Sequence, residues 1–474
     1  MGAGRMAEVQ LDDDPAPGAQ TPRRAVAATR ARRLLRRWWP VPVVAALAAA
    51  AWQAAADGRA EDRAELLRGT PGVLAETVTA PLEAAPWGTS DALGLLMSGT
   101  RTEDDLVAGV LVPGTGTPAS VVALHPDTGD VAWQAEIGVL PDETGYTHAA
   151  SCASGTPAPA ANLWCTVIDG PASDAGPVMT RLVEVDLDAR AVAGSRALPP
   201  HAEATVVRDT LVVATEQDGA VLLAGSDLVD GAERWRTEVP DAISPSFQSG
   251  WLVAPGDHVL VHGAAGTWAV DPDDGRVQAR EDGLYVARGD GLVGIPSSGG
   301  MRVRLLGTDG AGTATVSGFP VHVSPDDGSA PSVQPVSATD GSGSVLRGVD
   351  TATGAVRWER GVESGPRSGY LLLDGVLYGS DLTTVWAVDA GTGAERWTTS
   401  AALAEGSELM TDGRHLLRAE REGDSGGLVL SAYALDTGRR AWTTPVPDGV
   451  ERLWPWDGVL YGYSGDGREM FRLH

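Results

Sequence analysis

Lysine is absent from this 474-residue chain, so all 36 basic side chains are arginine. That excludes a Walker phosphate loop and a lysine Schiff base, both of which need the primary amine. Cysteine is nearly absent: Cys152 and Cys165 are the only two. Two are too few for a zinc site, and their spacing is not Cys-x-x-Cys. Positive charge is scarce, with a net charge of −27. Such acidity keeps a protein soluble and opposes binding to nucleic acid or anionic lipid; it suits cations or basic partners. Long amphipathic helical runs are missing after about residue 70, which leaves an all-β reading.

What the chain has in plenty is turns. Sixty glycines and 31 prolines punctuate short apolar runs such as "GYLLLDG" and "TTVWAVD". Asp374-Gly375, Asp282-Gly283 and Asp457-Gly458 are hairpin signals, because glycine accepts positive φ without steric cost.

A phrase then recurs: an Asp, a Gly, and a Trp four residues after the Gly. The clear copies are Asp127/Gly129/Trp133, Asp227/Gly231/Trp235, Asp350/Gly354/Trp358, Asp389/Gly393/Trp397 and Asp436/Gly438/Trp442. Degenerate copies keep Asp271 and Gly275 with Ala279 in the Trp place, keep Asp186 alone, or survive weakly around Asp309. The eight markers between residues 133 and 442 step by about 44 residues, the length of one four-stranded propeller blade. The expectation is an all-β propeller of eight four-stranded antiparallel blades, with seven or nine also compatible. A large flat side chain at a fixed point of each outer hairpin can fill the seam to the next blade, where its indole N–H needs a partner. Gly72–Ala84 is the expected N-terminal strand closing the ring with the C-terminal strands, which removes exposed edges.

The phrase Ala-x-Asp-x-x-x-Gly-x-x-x-Trp, as in "WAVDAGTGAERW", resembles the tryptophan-docking repeat of quinoprotein-like (PQQ-like repeat) β-propellers. That group includes pyrroloquinoline quinone dehydrogenases and BamB-like envelope scaffold proteins, and the resemblance covers roughly residues 71–474. It implies the fold; function stays open, because the fold hosts enzymes and scaffolds alike. The dehydrogenases hold the quinone in a central funnel with Ca²⁺, and many place a disulfide of adjacent cysteines against it. This chain has no adjacent cysteines, and no segment matches the metal-binding stretch. The expectation is therefore the non-enzymatic branch, with no catalytic residue, cofactor or metal site.

The N-terminus places the propeller. Residues 1–37 read as a disordered, basic cytoplasmic tail carrying Arg23, Arg24, Arg30, Arg32, Arg33, Arg36 and Arg37. Residues 38–56, "WWPVPVVAALAAAAWQAAA", carry no charge and are long enough to cross a bilayer core of roughly 30 Å as one helix. Arginines before this run set the N-terminus inside and the remainder outside. Cleavage after "AAA" as a signal peptide is the competing reading. Residues 57–70 are expected to be a juxtamembrane linker. An exported domain is an oxidising setting, so Cys152 and Cys165 are expected to form one disulfide.

Several local motifs suggest chemistry that the repeat explains better. "GDSGG" (Gly423–Gly427) looks like a protease nucleophile loop but lacks triad partners. The two "DTG" triplets at Asp127 and Asp436 hold equivalent places in different blades, too far apart to share a proton. "GDGLVG" (Gly289–Gly294) is not followed by a helix, the structural condition for dinucleotide binding. "DPDDG" and "SPDDG" supply too few oxygens for Ca²⁺, and His258 and His262 lack a visible third ligand. The functional expectation is a membrane-anchored, extracytoplasmic scaffold in a bacterial envelope that binds a protein partner. The alternatives are a PQQ-dependent oxidoreductase and a propeller that binds cell-wall glycan.

Overall fold

A computed structural model describes residues 47, 58–89, 94–95, 99–102, 104–111, 119–137, 145–154, 162–171, 179–199, 202–240, 252–254, 258–263, 266–281, 283–288, 291–296, 302–306, 312–340, 343–362, 369–381, 383–401, 409–421, 426–465 and 469–474. The chain divides into Met1–Asp62 and Arg63–His474. In the first unit, Leu47 is helical and is the one residue of the proposed 38–56 span that falls within the described residues. Among the described residues no helix is long and apolar enough to cross a membrane. The disordered tail expected over 1–37 lies outside the described residues.

Among the described residues the second unit holds nine sheets, eight of four antiparallel strands and one of five. In chain order, blade 1 spans Thr100–Glu136, blade 2 Gly145–Ala197, blade 3 Glu203–Val239 and blade 4 Leu252–Glu281. Blade 5 spans Gly283–Ser317, blade 6 Phe319–Val362, blade 7 Tyr370–Ser400 and blade 8 Met410–Pro445. Blade 9 joins Arg452–Trp456, Val459–Tyr463 and Glu469–Leu473 to an N-terminal strand, Ala84–Thr89. Middle strands such as Ser120–Leu124 are buried along their whole length, because a neighbouring blade covers each face. Their near-continuous apolar composition follows from that.

The ring has nine blades where eight markers are legible. The ninth is assembled from both ends of the chain, so no single stretch of sequence contains its phrase. Its N-terminal strand begins at Ala84 and pairs with Leu473, Arg472 and Phe471, whereas Gly72–Ala84 is the expected closing segment. Val73, Leu74, Val78 and Leu82 of that segment are buried without joining a sheet. Leu74, Val78 and Leu82 fill the seam between blades 8 and 9 instead, against Leu417, Leu430, Leu453 and Leu460. Residues 58–68, expected as linker, are helical, and Ala64 and Leu67 are buried.

Residues 63–83 thus form a strap over the turns of blades 7, 8 and 9. Arg63 donates to Asp374 at 2.5 Å. The backbone N–H groups of Leu74 and Ala75 donate to the Thr411 and Gly458 carbonyls at 2.8 and 2.7 Å. Buried Asp412 accepts from the N–H of Val78 at 3.1 Å and from those of Arg414 and His415 at 2.8 and 2.6 Å. One further departure lies in blade 7, where Val323–Asp326 adds a parallel strand to the free edge of Tyr370–Leu373.

Seams between blades are closed by tryptophan. The indole N–H of Trp358 donates to Ala390 O at 2.7 Å, and that of Trp397 to Leu435 O at 2.9 Å, each in the next blade. Trp235 reaches Pro272 O at 2.8 Å in the same way. We expect Trp397→Ala to cost about 3–5 kcal/mol, the range for large aromatic truncations in cores. Trp133, only half-buried, should cost less when truncated. Equal shifts of the two urea midpoints would contradict this ranking.

Candidate functional site

The residues singled out by the repeat meet across seams and not within one phrase. At Gly129, Gly275, Gly393 and Gly438 the Gly of the turn lies under the Trp of the preceding blade. A Cβ at Gly393 would stand 2.5 Å from Trp358, and one at Gly438 would stand 2.3 Å from Trp397. Both glycines have φ of +70° and +64°, so lack of space and a left-handed backbone demand glycine together. For Trp235, Trp358 and Trp397 the N–H acceptor is the carbonyl three residues before that Gly.

Blade 9 obeys the same rule through Trp87, which the marker phrase does not reveal. Its N–H donates to Pro126 O at 2.7 Å, and Gly129 lies against it. Tyr461 OH donates to the same carbonyl at 2.9 Å, and Arg472 pairs with Asp127 at 2.6 Å. The join between last and first blade is therefore sealed like the others.

Departures from the rule have local causes. Blade 2 carries Arg190 at φ 54° where other blades carry Gly, and Trp133, facing that blade, stays half-buried. Gly231 faces Arg196 at 3.6 Å, because blade 2 has Gly194 in the Trp place. Trp442 is half-buried and edge-on to His415 at 6.2 Å. The third and fourth strands of blade 9, Glu469–Leu473 and Ala84–Thr89, are joined by no hairpin turn that could receive it. Gly354 has φ +72° in its turn.

The aspartates are of two kinds. Asp227, Asp350 and Asp389 stand four residues before the Gly and accept its N–H on their backbone carbonyl at 3.0, 2.8 and 2.8 Å. In blades 1 and 8 His125 and Ala434 do this, so Asp127 and Asp436 sit two positions further on. Each aspartate of the first kind folds its carboxylate into its own turn and pairs with the Arg just before the Trp: Arg234, Arg357 and Arg396. Arg357, with Thr353, holds the Asp350 carboxyl down at about 2. Arg396 and Thr392 lower Asp389, and the N–H of Asp230 with Arg234 lowers Asp227.

Cys152 and Cys165 are bonded, directly opposite one another on adjacent strands of blade 2. Buried polar groups that sequence did not signal lie in the seams. Arg181 pairs with Asp169 at 2.7 Å, both 3% exposed, and donates to Ile137 O in blade 1. In blade 8, Glu420 accepts from Tyr433 and Arg440, and burial pushes the Tyr433 hydroxyl up to about 12. Buried Arg418 donates to the Thr384 and Asp381 carbonyls of blade 7.

The other motifs resolve as turns and strands. Gly291–Pro296 is a hairpin strand. Asp271 and Asp274 bond to N–H groups of their own turn, as do Asp326 and Asp327. Ser425 and Asp309 lie outside the described residues. His258 contacts Gln278 at 3.2 Å and His262 contacts Thr267 at 2.8 Å. Among the described residues, no group of three or more His, Cys, Asp or Glu side chains converges as metal ligands.

Residues 341–453 match the model of a family described as outer membrane protein assembly factor BamB. Over these residues the chain carries the PQQ-like repeat of that family. The sequence has no match among curated proteins. Similar solved structures include BamB from Moraxella catarrhalis, 16% identical, covering 59% of this chain and 96% of that one at a TM-score of 0.31. They also include quinohemoprotein alcohol dehydrogenase from Comamonas testosteroni, 13% identical, covering 83% and 76% at 0.36. Hsv2 from Kluyveromyces lactis is 10% identical, covering 60% and 96% at 0.28. The propeller is defined by its own sheets and seams.

The Asp–Arg turns should make stability acid-sensitive. A carboxylate held below its ordinary value of about 3.9 adds stability above that pH. The contribution is lost as pH falls through about 2, the value reached by Asp350. Asp350→Asn should therefore be less stable than the parent at neutral pH, with the gap narrowing steadily between about pH 4 and 2. Urea midpoints across that window would show it, and a pH-independent gap would refute it.

Proposed function

We propose that this protein is a membrane-anchored, extracytoplasmic scaffold of a bacterial envelope that binds a protein partner through a face of its propeller. The observation that carries this reading is the match of residues 341–453 to a family described as an assembly factor. Support comes from how the repeat residues are spent: Trp, Gly, Asp and Arg go into turns and seams. Such a body is a frame of packed blades from which connecting loops can be displayed, which suits recognition. The uncharged run at 38–56 would anchor it with the propeller outside, in line with the acidic charge of the exported part and the Cys152–Cys165 disulfide.

Photo-crosslinking in cells tests this. Exposed Asp218 and exposed Val229 lie in the turns at opposite ends of the strand Ala220–Asp227, hence on opposite ring faces. A crosslinker placed at one of them should trap the same envelope protein repeatedly, and at the other should not. Crosslinks only to the chain itself or to wall material from both positions would overturn the reading.

A further inference from the structure

An antiparallel blade puts two of its turns on one ring face: the turn between its first and second strands, and the turn between its third and fourth. In blade 7 these turns hold Gly375 and Ala390, and the Ala390 N–H donates to Gly375 O at 2.8 Å. The tryptophan-receiving turns lie on this face. So does the start of the strap. Arg63 pairs with Asp374 in the first turn of blade 7. The Ala64 carbonyl lies against Gly413 in the first turn of blade 8, where a Cβ would stand 2.7 Å from it. First strands of successive blades approach one another, as in blades 1 to 4, so they line the inside of the ring. The strap therefore begins at the inner rim of one face.

Exposed apolar side chains gather on that face. Among the described residues of the second unit, the large hydrophobics left exposed are Leu66, Val131, Val229, Phe319 and Val356. Val229 sits in the third turn of blade 3 and is 89% exposed. Val131 and Val356 begin the fourth strands of blades 1 and 6, directly after the same turns. Leu66, 80% exposed, belongs to the strap helix, on the side away from buried Ala64 and Leu67. Phe319 alone opens a first strand, at the opposite face.

We propose that this face is turned to a lipid surface, and that the opposite face is the one presented to the protein partner. The inference rests on the membrane anchor proposed above. Only residues 57–62 separate the uncharged run from Arg63. Such a segment reaches about 25 Å when fully extended and about 10 Å as a helix, the form that residues 58–62 take. Turning the other face to the bilayer would require a path across four strands, about 14 Å, and down the depth of the ring, about 25 Å for a strand such as Ala220–Asp227. That sum, roughly 40 Å, exceeds the reach of the segment. A path down the ring axis would still need about 25 Å from a segment whose helix spans about 10 Å. Acidic turns oppose adhesion to anionic lipid, so the short tether sets the orientation. The carboxylates of Asp227, Asp350 and Asp389 on this face are already paired with arginine.

Energy transfer in vesicles tests the orientation. The full chain is reconstituted into phosphatidylcholine vesicles that carry an acceptor dye on a lipid headgroup. Cys152 and Cys165 are bonded to each other, so a donor dye goes to the one engineered thiol of Asp218→Cys or Val229→Cys. These positions share one blade and differ by the depth of the ring. Transfer from Val229→Cys should be severalfold more efficient than from Asp218→Cys. Insertion of about twenty Gly/Ser residues after Ala56, a flexible spacer of about 25 Å, should abolish the difference; its survival would overturn the tether as the cause. Thermal melting checks that each variant is folded. Equal transfer from both positions, or stronger transfer from Asp218→Cys, in a chain that floats with the vesicles would overturn the orientation while the anchor stands. A chain that fails to float would overturn the anchor and the orientation together. In cells, the photo-crosslinker at Asp218 should be the one that traps the partner. Capture from Val229 alone would overturn the face assignment and leave the scaffold reading intact.

Discussion

The second unit depends on one contact repeated around a ring: an indole laid over a glycine of the next blade, its N–H closed on a carbonyl three residues earlier. A four-stranded blade cannot cover both of its own faces, so its stability lies in the seams. The Trp buries a large apolar area there and satisfies its only polar atom at the same time. The glycine is required twice, by φ and by space, as at Gly393 and Gly438. Where one partner differs, as with Arg190 opposite Trp133, the indole is left only half-buried.

Where the contact is broken, the structure substitutes other forces. The seam between blades 1 and 2, with Arg190 in the glycine place, holds the buried Arg181–Asp169 pair and its bond to Ile137 O. Blade 8 meets a ninth blade that has no hairpin to receive Trp442, and there the strap supplies Leu74, Val78 and Leu82. Closing a ring from distant parts of a chain leaves a seam without its own repeat. The strap covers that seam, with Asp412 as its most fully engaged anchor.

This economy of repeated parts separates architecture from recognition. Residues that stand out by recurrence are consumed internally. Recurrence is thus a guide to the fold and a poor guide to the site.

The sequence by itself determined the blade. Trp358 and Trp397 mark the seam residues, Gly354 and Gly393 the turns, and the two cysteines the disulfide, because each depends on local spacing or on the lack of any other partner. Tertiary structure alone decided the ninth blade, since its strands at 84–89 and 469–473 are nearly four hundred residues apart and no local pattern links them. It also decided that Gly393 and Gly438 serve the tryptophan of the preceding blade, a pairing set by ring packing and invisible within one phrase. The buried Arg181–Asp169 and Arg418 contacts belong to the same class: a charge becomes structural only when a neighbouring blade excludes water from it, and a linear chain does not record which surfaces will meet.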